Sequence, residues 1–160
     1  MINTIYIETS IISYLTSRPS RDLIGAARQQ LTQAWWNNRP NYEPYVSEVV
    51  WKECAAGDPY AAKRRMEAIE SLEILRVSPD AVEIAKALVS HGIIPNKAAE
   101  DALHITIATV HKMDFLLTWN CKHIANPEIQ RNIASFLKEQ GLFLPFICTP
   151  DELIGDYDER

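Results

Sequence analysis

Short apolar runs recur along this chain, separated by longer stretches with helical spacing. The runs Thr4 to Ile7, Tyr45 to Val46, Glu73 to Val77, Phe115 to Thr118 and Phe143 to Ile147 are rich in β-branched and aromatic residues and predict strands. The segments Asp22 to Trp36, Ala81 to Ser90, Ala98 to Lys112 and Pro127 to Gln140 repeat their apolar positions at a helical period. Helix starts are marked where a capping residue precedes proline, at Asp58-Pro59, Ser78-Pro79, Asn126-Pro127 and Thr149-Pro150. Proline at the first helical position gives up only an N–H that has no partner there, and the preceding side chain accepts from a later one. Thr149 and Glu152 also fit a capping box. Alternating strands and helices predict an α/β fold in three layers, α/β/α. Its central sheet is mainly parallel, with four or five short strands, because parallel neighbours need helical crossovers over the sheet faces. No repeat, low-complexity tract or linker divides the chain, so residues 1–148 are read as one domain and 149–160 as a short acidic C-terminal segment.

Three acids break this pattern. Glu8 ends the first apolar strand and is followed by Thr9 and Ser10, at the strand end where open parallel sheets collect ligands. In the run from Tyr45 to Glu53, Val46, Val49, Val50 and Glu53 fall at i, i+3, i+4 and i+7, which puts a carboxylate on the apolar stripe of a helix. Asp101 shares a stripe with Ala98, Ala102, Ile105 and Ala108, while Glu100 projects about a quarter turn away. Each acid alone has an ordinary reading: a solvated acid near a helix start, a partner for Arg or a backbone amide, or an Asp bonded to a hydroxyl such as Thr106. Together they suggest crowded carboxylates, which either take up protons or bind a divalent cation, and oxygen ligands favour Mg²⁺ or Mn²⁺. Such a site activates water against a phosphodiester.

Composition narrows the classes. A chain of 160 residues with 47% apolar and 23% charged residues has the mix of one soluble globular domain. Its net charge of -5 argues against non-specific coating of nucleic acid, and the obvious cation groups are Arg18, Arg21 and the run Lys63, Arg64, Arg65, read as a solvated face or the flank of an RNA groove. Cys54, Cys121 and Cys148 show neither zinc nor redox spacing, and no apolar run is long enough to span a bilayer. Glu8 interrupts Ile5-Tyr6-Ile7 and spoils a secretory leader, so the expectation is a cytoplasmic protein without membrane contact.

The segments Ile5 to Ser10, Ser47 to Glu53, Glu100-Asp101-Ala102-Leu103-His104 and Leu117-Thr118-Trp119-Asn120 resemble the PIN-domain family, metal-dependent ribonucleases that include VapC-type toxins of toxin-antitoxin pairs. The resemblance runs over nearly the whole chain. It implies an endoribonuclease with Glu8, Glu53 and Asp101 as ligands of one or two Mg²⁺ or Mn²⁺ ions, Asn120 completing the catalytic set, a homodimer, and an antitoxin partner that blocks the site. Two departures stand out. The strand-end acid is usually Asp, and Glu8 is one methylene longer; Asn120 and His123 stand where the family often carries Asp, which removes charge and should weaken metal binding. The alternative is therefore a catalytically weak PIN-like module that holds RNA or a protein partner.

Around the acids, Ser10, Trp119, Lys122 and His123 are candidates for contacting RNA, Trp119 by stacking and Lys122 or His123 by pairing with phosphate, although packing is the commoner fate of a tryptophan. Ser47, His104 and Thr118 are expected to support the acids from behind. Trp35 and Trp36 are read as core or dimer surface rather than as a nucleotide clamp.

Overall fold

A computed structural model of the chain describes residues 2–39 and 41–154. Its elements alternate as the hydrophobic pattern requires. Strand β1 (Asn3–Ile7) leads into α1 (Thr9–Thr16) and α2 (Leu23–Asn37), then β2 (Tyr42–Ser47), α3 (Glu48–Ala55) and α4 (Pro59–Ile69). Strand β3 (Glu73–Leu75), α5 (Pro79–Ser90) and α6 (Ala99–Val110) follow, then β4 (Phe115–Leu117), α7 (Pro127–Glu139), β5 (Phe146–Cys148) and α8 (Pro150–Ile154).

The strands form one sheet in the order β3-β2-β1-β4-β5, and every neighbouring pair is parallel. Helices cover both faces, which gives the three-layer α/β/α arrangement of a PIN-like fold. The chain builds outward from β1 to β2 and β3, then crosses back to place β4 and β5 on the other side. The switch in direction falls between β1 and β4, the place beyond whose strand ends open α/β sheets bind their ligands.

The core is drawn from the predicted stripes: Ile5, Ile7, Val46, Val50, Ala102, Ile105, Leu116 and Leu117 are fully buried, together with Leu88, Ile133 and Leu137 from the covering helices. The proline boundaries fall where expected. Asp58, Ser78 and Asn126 each cap the helix that opens with the next proline, and the Thr149 amide and hydroxyl both donate to Glu152 Oε1 at 2.9 Å. No helix of the described residues is long and apolar enough to cross a membrane.

Several boundaries move. The run from Val46 to Glu53 is not one helix: Val46 belongs to β2, and Ser47 caps α3 by accepting from the Val50 amide at 3.2 Å, so the chain turns from extended to helical at Ser47. Strand β5 starts at Phe146, later than the expected Phe143, because its parallel register with β4 runs from Phe115↔Phe146 to Leu117↔Cys148 and Phe143 is left exposed. Strand β3 is likewise confined to the register it shares with Tyr45 to Ser47. Helix α1 had no counterpart among the expected helices.

Candidate active site

The acids belong to elements around the carboxyl end of the sheet: Glu8 follows β1, Glu53 lies on α3 and Asp101 opens α6. Glu8 keeps an extended backbone, and its amide carries the ladder one step further by donating to the Leu117 carbonyl at 3.1 Å. Its side chain then caps α1 by accepting from the Ser10 amide at 3.1 Å. Oε1 receives the Thr118 hydroxyl at 2.6 Å and the Ser10 hydroxyl as well. With 6% of its surface exposed, this carboxylate is kept in place by donors rather than by a basic side chain.

Glu53 stands near the end of α3, whose start is fixed by Ser47. Its Oε1 accepts from the Thr9 hydroxyl at 2.6 Å and from His104 Nε2 at 2.7 Å. His104 is 1% exposed, and its Nδ1 lies 2.6 Å from the Tyr6 hydroxyl, which in turn lies 2.8 Å from Ser47 Oγ. A continuous hydrogen-bonded row thus ties α3, α6, β1 and the end of β2 together. Asp101, in the first turn of α6, meets His123 Nδ1 through Oδ2 at 3.2 Å. The hydroxyl proposed for it is used elsewhere: Thr106 donates to the Leu103 carbonyl.

His104 reports how the charges converge. Burial pulls its pKa down, but the hydrogen bond to Glu53 and the charges of Glu8, Glu53 and Asp101 outweigh burial and hold it above its ordinary 6.5. Burial pushes Glu53 up, yet the bond and charge of His104 and the bonds of Thr9 and Glu100 leave it below its ordinary 4.5. Burial, reinforced by the Glu8 and Glu53 charges, raises the Tyr6 phenol well above 10.0, so it stays protonated. Glu53 thus reaches the buried imidazole directly, while Glu8 and Asp101 add only their nearby charge.

Glu100 is the residue that spacing missed. Its exposed carboxyl lies near enough to Glu53 to act on it. Carboxylates brought close together repel, and a cation relieves that repulsion. The signal was its place directly before Asp101 at the opening of α6, a turn that favours acids for its own reasons. Among the described residues no three His, Cys, Asp or Glu side chains stand close enough to grip an ion in these rotamers. The donor chemistry nevertheless suits Mg²⁺ or Mn²⁺, since the carboxylates of Glu8, Glu53, Glu100 and Asp101 present only oxygen.

A family model for the PIN domain matches residues 5–121. The chain belongs to the PIN domain family. Solved structures of similar fold include a toxin-antitoxin complex from Klebsiella pneumoniae, with a TM-score of 0.55 and 21% identity over 76% of this chain and 90% of that one. VapBC2 from Rickettsia felis bound to a DNA fragment from its promoter gives 0.51 and 16%, over 91% of this chain and 98% of that one. VapC20 from Mycobacterium tuberculosis, a sarcin-ricin loop cleaving toxin, gives 0.56 and 19%, over 74% and 91%. At these identities the likeness is one of fold. No protein of curated function matches the sequence.

The remaining predicted residues of this PIN domain divide between site and scaffold. Ser10 and Thr118 both hold Glu8, and Ser10 Oγ also accepts from the Trp119 amide at 2.9 Å, so Ser10 is tied to the acid rather than turned to a substrate. His123 is drawn to Asp101. Asn120 Oδ1 accepts from the His123 amide at 3.0 Å and so orders the turn after β4, while Lys122 is exposed. Trp119 is packed instead of open for stacking: it is buried, its Nε1 donates to Thr32 Oγ1 at 2.7 Å, and the Arg28 guanidinium lies 5.2 Å from its ring centroid. Trp35 is core, with Trp36 packed against it.

Proposed function

We propose that this PIN domain is a metal-dependent endoribonuclease, the toxin of a toxin-antitoxin pair, acting through Glu8, Glu53, Asp101 and Glu100. The observation that carries the reading is the placement of the acids beside the switch point of a parallel sheet: Glu8 directly after β1, Glu53 bonded to Thr9 and His104, and Asp101 one turn before His104 on α6. A bound Mg²⁺ or Mn²⁺ would supply a Lewis acid and a water of lowered pKa. The chain's own residues hold the carboxylates ready: Ser10 and Thr118 fix Glu8, Thr9 and His104 fix Glu53, and His123 fixes Asp101. The bonds from Thr9 and His104 both fall on Oε1 of Glu53, and that from His123 falls on Oδ2 of Asp101. Support also comes from the fold shared with VapC20, whose own activity is cleavage of the sarcin-ricin loop. By likeness to the toxin-antitoxin complexes, an antitoxin protein belongs among the partners in this reading, and a second copy of this chain is part of the same proposal.

The test is incubation of the purified protein with a mixed RNA pool, with and without Mn²⁺. Cleavage should require the ion and vanish in Asp101→Asn; cleavage that survives chelation or that substitution removes the mechanism. One observation favours a second reading, a module that binds without hydrolysis: Glu53 and Asp101 already have a histidine each, and Asn120 is committed to its turn. Calorimetric titration with Mn²⁺ separates the two, since the enzyme binds the ion in the wild type and loses it in Asp101→Asn.

A further inference from the structure

The chain carries a net charge of -5, yet three arginines from two separate segments share one groove. Arg18, just past α1, and Arg64 and Arg65 on α4 line a groove of about 440 Å³ with Ser13, Thr16 and Asp58, a size in the range of ligand clefts. The one acid is already engaged, because Asp58 Oδ2 accepts from the Ala61 amide as the cap of α4. Arg65 is partly engaged, donating to the carbonyls of Cys54 and Ala56 at 3.0 and 2.6 Å. Among the described residues, no carboxylate lies within ion-pair distance of Arg18 or Arg64. Tyr60 lines the same groove and is 66% exposed, a flat ring beside guanidinium groups.

Helix α1 joins this groove to the acids. Thr9, Ser13 and Thr16 recur at i, i+4 and i+7 and share one face. The Thr9 hydroxyl ends on Glu53, whereas Ser13 and Thr16 border the arginines. The rise along these residues is about 10 Å, a short step for a nucleic-acid strand. Guanidinium forks match phosphate geometry, and an exposed ring among them offers a stacking face that tolerates any base.

We propose that the groove of Arg18, Arg64 and Arg65 between α1 and α4 binds the phosphate backbone of single-stranded RNA and leads the strand along α1 to the acids. The proposal rests on the ribonuclease reading for its substrate, but its test does not need cleavage. Binding of a fluorescein-labelled single-stranded RNA of mixed sequence is measured by anisotropy in EDTA over a series of salt concentrations. The doubly substituted Arg18→Gln, Arg64→Gln protein is compared with wild type and with a charge-matched Lys86→Gln, Lys138→Gln control, all checked for equal melting temperature. Arg65 is left in place because it secures the end of α3.

Loss of two phosphate contacts should flatten the slope of log K against log salt by about 1.4 and weaken low-salt binding by about tenfold or more, with the control near wild type. Unchanged affinity and slope in the arginine variant, or an equal loss in the lysine control, overturns the proposal. So does a wild type that binds no RNA. Cleavage with Mn²⁺ is scored separately. Arginine-dependent binding without cleavage keeps the groove and removes the nuclease; cleavage with arginine-independent binding does the reverse.

Discussion

Replacing His104 by alanine tests the electrostatic account of the site, because that imidazole is bonded to Glu53 and feels the charges of Glu8 and Asp101. The substitution removes the 2.7 Å contact to Glu53 and the 2.6 Å contact to Tyr6 at a fully enclosed position. Breaking a buried pair costs about 3–5 kcal/mol, and the 29% exposure of the Glu53 side chain places this one near the lower end, about 3 kcal/mol. For a chain of this size that is a fall in melting temperature of roughly 6–12 °C. The pH dependence is the sharper test. His104 has a folded pKa above 6.5, so its contribution is complete below that value and is lost as pH rises through the folded pKa. Glu53 has a folded pKa below 4.5, so its contribution is complete above that value and is lost as pH falls through the folded pKa. The difference between wild type and His104→Ala should therefore peak at about pH 5–6 and shrink on both sides. Urea unfolding of the metal-free proteins across pH reads it directly. A difference that is flat, or that grows toward alkaline pH, would mean His104 is buried neutral and that the carboxylates do not act on it.

Other expectations follow from single contacts. Tyr6→Phe removes a hydroxyl that links His104 to Ser47 and should destabilise by about 1–3 kcal/mol in a thermal melt; an unchanged melt would show the row to be incidental. In the native protein only Cys121, which is exposed, should react with iodoacetamide, since burial raises Cys54 to about 11 and Cys148 to about 12; peptide mapping that finds either buried thiol alkylated would contradict this. Asn126→Ala deletes the acceptor for the Glu128 and Ile129 amides and should lower stability by about 1 kcal/mol, with RNA cleavage unaltered if the site is where we place it.

What could be read from the sequence was whatever local chemistry decides. The proline-marked helix starts needed only a cap and the next residue, so they could be placed without knowing the fold. Glu8, Glu53 and Asp101 stood out because a carboxylate on an apolar pattern is costly wherever the chain goes. Helix α1 escaped because Thr9, Ile11, Ile12 and Thr16 are β-branched, and the Glu8 cap outweighs that preference. Strands β3 and β5 hold three residues each, too few to carry a period, and their limits come from the neighbouring strand. Spacing offered His104 as a support for the acids but not its partners. It lies one turn after Asp101, and its partners Glu53 and Tyr6 belong to remote segments, so the row they make exists only once the sheet is assembled. For the same reason, the groove of Arg18 with Arg64 could not be seen in two cation groups so far apart in the chain.

Glu8 performs two jobs with one carboxylate: it ends the ladder by capping α1, and it lends its charge to the site. Evolution cannot tune these jobs separately at that position. An amide there would weaken the helix start and mute the charge together, so a homologue drifting toward inactivity should tend to keep an acid at this residue for architecture alone. Such a homologue would pass for an enzyme by its first acid, and its loss of function would be written at Asp101 instead.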